Sequence, residues 1–166
     1  DFTINSTLGI TSYRWDFGNG EPVVRGTLGG EDIGSVTSSY TTANIYTVTL
    51  TVNEAIVSTQ EITIYDAPIT FPSVIVNGPY FASENGMVSV ENTESGYTYS
   101  VLNTDDEIVA SELSSGGMLD LTISNEKLPK SGIFNFSIIV QNGACTAALD
   151  NSGAFDIIPT PNKNLT

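Results

Sequence analysis

The sequence predicts an all-β chain of two antiparallel β-sandwich modules in tandem, on three observations. Apolar residues recur with period two, and no segment shows the spacing of an amphipathic helix. Turn residues separate the alternating runs of the second half every 8–15 residues or so. Near the middle, Pro68 and Pro72 interrupt the pattern, and two such residues cannot sit in a central strand. The 166 residues would make one ordinary domain, but two sandwiches of below about 100 residues each fit equally well.

Asp1-Phe2-Thr3-Ile4 already alternates like a strand, so a targeting segment is expected upstream or already removed. Ile10 to Phe17 reads as a strand with Tyr13, Trp15 and Phe17 on one side, ending in the sharp turn Gly18-Asn19-Gly20. Residues 21–39, rich in Gly, Ser, Thr and acids, read as loop and short edge strands. The clearest strand is Tyr46 to Val52, with Tyr46, Val48, Leu50 and Val52 on one face and three threonines on the other. A turn at Asn53-Glu54 and a strand from Ile56 to Tyr65, with Ile62 and Ile64 sharing a side, complete a hairpin.

The stretch 67–72 is expected to be a stiff, Pro-containing linker between a module at 1–66 and another at 73–158. Strands are predicted at Met87–Glu91, Tyr97–Leu102, Glu107–Ser111, Met118–Ile123, Ile133–Gln141 and Ala154–Ile158. Asn103 to Asp106 reads as a hairpin turn, and Ser124 to Gly132 as a crossover with one helical turn before Pro129. Residues 159–166 read as a linker or the start of a further segment.

Charge narrows the function classes. Five Lys and Arg stand against nineteen Asp and Glu, a formal net charge of -14. That field repels phosphate backbones and anionic lipid, which argues against nucleic acid and membrane docking. No apolar run is long enough to cross a bilayer. Acidity serves solubility on one reading and Ca²⁺ binding on the other. The single Cys145 cannot form a disulfide within the chain.

The run Tyr13-Arg14-Trp15-Asp16-Phe17-Gly18-Asn19-Gly20 resembles the signature of PKD domains, immunoglobulin-like extracellular modules, with Asn19 where the family has Asp. Tyr40 to Val52 resembles the family's second signature, a Tyr-rich entry to a Tyr-Thr-Val-Thr-Leu strand, with Asn44 in place of Gly. The resemblance covers about residues 1–65 and implies structural roles for Trp15, Asp16, Phe17, Gly18, Gly20 and Tyr46. It also implies a strand ahead of the one Phe2 begins, so the first module is expected to lack its first strand. Gly96 to Val101, Gly116 to Ile123 and Gln141 to Cys145 are similar to immunoglobulin-like repeats of giant Bacteroidota surface proteins. Both kinds of module build the stalks of adhesins there, including gliding-motility adhesins exported by the type IX system. The resemblance therefore implies two tandem immunoglobulin-like sandwiches on an extracellular, cell-surface protein.

The chemistry the residues allow is narrow. The chain has no histidine, so Ser-His-Asp and Cys-His catalysis are excluded within it, and zinc sites nearly so. Two carboxylates would suffice for glycoside hydrolysis, but nothing places two across a cleft, and no enzyme is predicted. Cys145 reads as a small, partly buried residue beside the Asn142-Gly143 turn. Asp16 has two readings: an acceptor for backbone N–H groups of its own turn, or, with Asn19, a Ca²⁺ ligand. No other cofactor is expected. Trp15 and Tyr46 read as core.

Several surface motifs read as ordinary. Asn103 to Glu107 fails as an EF-hand because Ile108 and Ser114 stand where Gly and Glu are needed, leaving an acidic hairpin tip, as at Glu31-Asp32. The sequons at Asn5, Asn135 and Asn164 read as chance in so polar a chain, and Asn135 falls in a core-like strand. A Lys–Asn isopeptide staple has no lysine in residues 1–65, and Lys127 and Lys130 look exposed.

The leading expectation is a spacer that presents a distal adhesive region and contacts neighbouring domains of the same long chain. A module binding surface polysaccharide or a protein partner is the second, with Tyr80-Phe81 or Tyr97 and Tyr99 as the exposed aromatic strip it needs. Contact with secretion or motility machinery belongs to the adhesin setting. Accessory domains of a secreted hydrolase are the third.

Overall fold

A computed structural model describes residues 1–4, 9–27 and 35–161. It is all-β, and it divides into two compact units, Asp1–Asp66 and Ala67–Thr166.

In the first unit, β1 (Ser12–Asp16), β2 (Val24–Thr27), β3 (Asn44–Val52) and β4 (Ala55–Ile64) form one antiparallel sheet in the order β2-β1-β3-β4. Tyr13 lies opposite Val52 and Trp15 opposite Leu50, so the alternating apolar residues of both strands fall on one face. Trp15, Phe17, Val48 and Leu50 are buried there, with Phe2, Ile4, Tyr13 and Tyr40 packed around them. Phe2 pairs with Val36 through two backbone hydrogen bonds of 2.9 and 3.0 Å and lays its ring 5.6 Å from Trp15 and 5.3 Å from Phe17. Each buried aromatic contributes roughly 2–3 kcal/mol of hydrophobic stabilisation.

The β3–β4 hairpin closes on Asn53 and Glu54, both with positive φ (48° and 67°). This geometry matches the right-handed twist of the strands it joins. Asn53 also clamps the approach to β1. Its Oδ1 accepts from the Thr11 N–H (2.8 Å), the Thr11 hydroxyl (2.8 Å) and the Ser12 N–H (3.2 Å). Its Nδ2 donates to the Gly9 carbonyl at 2.8 Å.

The second unit closes one core between two sheets. The smaller sheet orders β10 (Gly117–Ile123), β7 (Gly86–Thr93) and β5 (Val74–Val76). The larger runs β6 (Tyr80–Phe81), β13 (Gly153–Ile158), β11 (Gly132–Asn142), β8 (Thr98–Leu102) and β9 (Ile108–Leu113), with β12 (Cys145–Ala148) also paired to β11. Phe134, Phe136, Ile138 and Val140 alternate inward along β11 and meet Val88, Val90, Leu121 and Ile123 from the smaller sheet. Pairing is antiparallel except between β6 and β13.

Two expectations need correction. The stretch 67–72 is bonded into the second unit, not left as a spacer. Pro68 and Pro72 are buried, the Thr70 carbonyl accepts from Asp150 N–H, and the Pro72 carbonyl accepts from Asn151 Nδ2. The prolines lack an N–H, but the carbonyls of the stretch, that of Pro72 included, remain good acceptors, and 150–151 supplies the donors. Ser124 to Gly132 contains no helix; a single hydrogen bond from Lys127 N–H to the Ser124 carbonyl makes a turn. Asn135 does fall in a core strand, β11, and lies on its exposed side because its neighbours Phe134 and Phe136 take the inner face. The short strands β5, β6 and β12 carried too few residues to show a period.

Candidate functional site

The run from Arg14 to Gly20 forms the corner where β1 leaves the sheet, and each motif residue has a structural partner. Trp15 and Phe17 face the core with rings 6.2 Å apart and nearly parallel at 5°. Asp16 points the other way. Its Oδ1 accepts from the Gly18 N–H at 3.1 Å, an Asx turn, and its Oδ2 accepts from Arg14 Nη2 at 2.9 Å. This ion pair is 41% exposed on both sides, which limits it to at most about 1 kcal/mol. Gly18 has φ +69°, and a Cβ there would lie 2.7 Å from the Thr47 carbonyl oxygen, so no other residue fits.

Asn19 fixes the far side of the turn. Its Oδ1 accepts from the Glu21 N–H at 3.2 Å, and its Nδ2 donates to Ser38 Oγ and the Ser39 carbonyl. Tyr40 and Tyr46 pack ring to ring at 4.6 Å. The Tyr40 hydroxyl donates to the Phe17 carbonyl, and the Tyr46 hydroxyl to the Thr42 carbonyl at 2.8 Å. The latter bond, from the start of a strand back four residues, is a tyrosine corner of the kind found in immunoglobulin-type sandwiches. Burial raises the Tyr40 pKa above its ordinary value, more than the Ser38 hydrogen bond lowers it.

The oxygens proposed as Ca²⁺ ligands, on Asp16 and Asn19, therefore all hold protein donors. Among the described residues, no three His, Cys, Asp or Glu side chains converge on a metal-sized site. The Asn103 tip is a hydrogen-bonded turn in which Asn103 Oδ1 accepts from the N–H groups of Asp105 (3.0 Å) and Glu107 (2.9 Å). Glu107 is paired with Lys127, whose ammonium lowers the Glu107 pKa by hydrogen bonding and by charge. Cys145 is half-buried on β12 opposite Asn142. The Glu31-Asp32 tip, the sequons at Asn5 and Asn164, and most of the 159–166 segment lie outside the described residues.

The expected aromatic strip is not on the surface. Tyr99 is fully buried and its hydroxyl accepts from the Glu94 N–H at 3.0 Å, because β8 turns Tyr99 and Val101 inward together. Tyr97 is half-buried against the same core. Tyr80 packs edge-on against Phe155 at 5.2 Å and donates to the Met87 carbonyl, leaving Phe81, 42% exposed, as the accessible ring of that pair.

One arrangement escaped the sequence reading. Arg14 and Arg25 face each other directly across β1 and β2 and line a concavity of about 540 Å³ on the outer face of the first sheet. Arg25 lay in the stretch read as loop and short edge strands, to which no pairing register could be assigned.

Residues 1–65 match the PKD domain family. No curated protein matches the sequence. Among solved structures, the FN1–FN3 domains of chicken CNTN1 are similar at 16% identity and a TM-score of 0.51, over 88% of this chain and 52% of that one. This chain thus spans about half the length of that fragment, and the likeness shows the fold. Murine CEACAM1b is 15% identical over 93% of this chain and 89% of its own, with a TM-score of 0.46. The BSP domain of a biofilm associated protein is 15% identical over 93% and 26%, with a TM-score of 0.36. The chain is thus an all-β tandem of immunoglobulin-like sandwiches whose first unit matches the PKD domain, a module typical of extracellular spacers and binding domains.

Proposed function

We propose that the two units are non-catalytic spacer modules of a large bacterial cell-surface adhesin, acting in cell adhesion or gliding motility after type IX export. The observation that carries this reading is the use made of the motif residues. Trp15 and Phe17 fill the core, Asp16 and Asn19 hold the turn, Gly18 gives way to the Thr47 backbone, and Tyr46 pins the strand entry. A motif so committed to holding a module together supports a role in which the module itself is the product. The absence of histidine from the sequence supports the non-catalytic part of the reading. Its partners are the neighbouring domains of the same chain, with surface polysaccharide, a protein partner or the secretion and motility machinery reached through them.

The test is replacement, in the parent protein, of this stretch by two unrelated β-sandwiches of matched length. Adhesion or gliding retained at the parental level supports a spacer. Loss of either, with surface display unchanged, overturns it and makes this stretch a binding element.

A further inference from the structure

The chain's two arginines supply a feature that spacing does not require. Both lie in the first unit, which has no lysine, and they occupy directly opposed positions on the same face. Like charges so placed are destabilising, and with nineteen acids in the chain an acidic partner opposite either arginine would have been the stabilising choice. Asp16 engages one guanidinium nitrogen of Arg14 at 2.9 Å. The Nε–H of Arg14 is buried and has no acceptor among the described residues. Arg25 is exposed and makes no ion pair among them. The concavity of about 540 Å³ that they line also presents Ser12, Thr27, Thr51 and Glu54, and its size is that of a small-ligand site.

We propose that this concavity binds the anionic group of an acidic carbohydrate. An oxyanion seated between Arg14 and Arg25 cancels their repulsion and takes the paired N–H donors that guanidinium groups direct at carboxylate and sulfate. The three hydroxyl side chains and the Glu54 carboxylate are groups that pair with sugar hydroxyls, which favours a polyhydroxylated ligand over a bare ion. The net charge of -14 repels anions at a distance, so the site works by close contact and its affinity is modest. Two sources share this chemistry, a uronic acid and a sulfated sugar. The site adds a ligand to a module otherwise read as a spacer, and it stands or falls independently of the adhesin assignment.

The experiment is calorimetric titration of the whole chain with digalacturonate, with galactose 6-sulfate and with neutral galactobiose. The expected result is millimolar or tighter binding of one or both acidic sugars, with Arg25→Gln weakening it at least about tenfold and Arg25→Lys recovering part of it. Arg25 is exposed and stands opposite Arg14, so Arg25→Gln relieves a like-charge pair and should leave the melting temperature no lower than before, which separates lost binding from lost fold. The acidic sugar that binds identifies the source, carboxylate or sulfate. Equal binding of galactobiose, no binding of either acidic sugar at millimolar concentration, or unaltered binding by a folded Arg25→Gln protein would each overturn the proposal.

Discussion

Replacing Asn53 tests how the first unit is held, because one exposed side chain there joins three segments. Asn53→Ala removes three bonds into Oδ1 and one from Nδ2. These groups are exposed, so water replaces the lost partners and each bond is worth the low end of the usual range, about 0.5 kcal/mol, or about 2 kcal/mol together. Alanine must also adopt φ near 48°, at a further cost of about 1 kcal/mol. Asn53→Gly loses the same bonds but tolerates the backbone, so it should cost about 1 kcal/mol less than alanine. The assay is thermal unfolding followed by tryptophan fluorescence, which reports the first unit alone because Trp15 is the chain's one tryptophan. For a unit this small, about 3 kcal/mol corresponds to a fall on the order of 10–20 °C. A fall of only a few degrees for Asn53→Ala, or a larger one for Asn53→Gly, would refute this account of the clamp.

Other outcomes follow from single contacts. Gly153→Ala places a Cβ 2.5 Å from the Phe136 ring and 2.9 Å from Val76; both belong to packed strands, so the second unit should lose about 1–3 kcal/mol by circular dichroism while the tryptophan transition stays in place. Burial raises the Tyr99 pKa above its ordinary 10.0, so its contribution to stability is fully present below pH 10 and is lost as pH rises through the folded value. Tyr99→Phe should flatten that alkaline loss at a cost of about 1 kcal/mol near neutrality, where the Glu94 N–H loses its acceptor. Millimolar Ca²⁺ should leave the tryptophan transition where EDTA leaves it, since a ligand of the folded state would raise it by mass action. A rise seen with Ca²⁺ and not Mg²⁺ would make Asp16 and Asn19 ligands after all.

The sequence by itself determined the long strands, the main hairpin turns and the identity of the corner residues. Alternation along Tyr46 to Val52 and the turns at Asn53 and Asn103 are local, and where one set of alternate positions is apolar and the other polar, the strand itself shows which set is buried. Trp15, Phe17, Val48 and Leu50 were legible as core for that reason. Tertiary structure alone decided what meets what. Tyr99 alternates as readily to solvent as to a core until β11 is laid beside β8. Pro68 to Pro72 reads as a spacer until Asp150 and Asn151, some eighty residues on, supply its hydrogen bonds. Arg25 became a counterpart of Arg14 only through the register of β1 and β2. A period reports the burial of one strand's faces, whereas a site depends on pairing between strands distant in sequence, and no local pattern encodes that register.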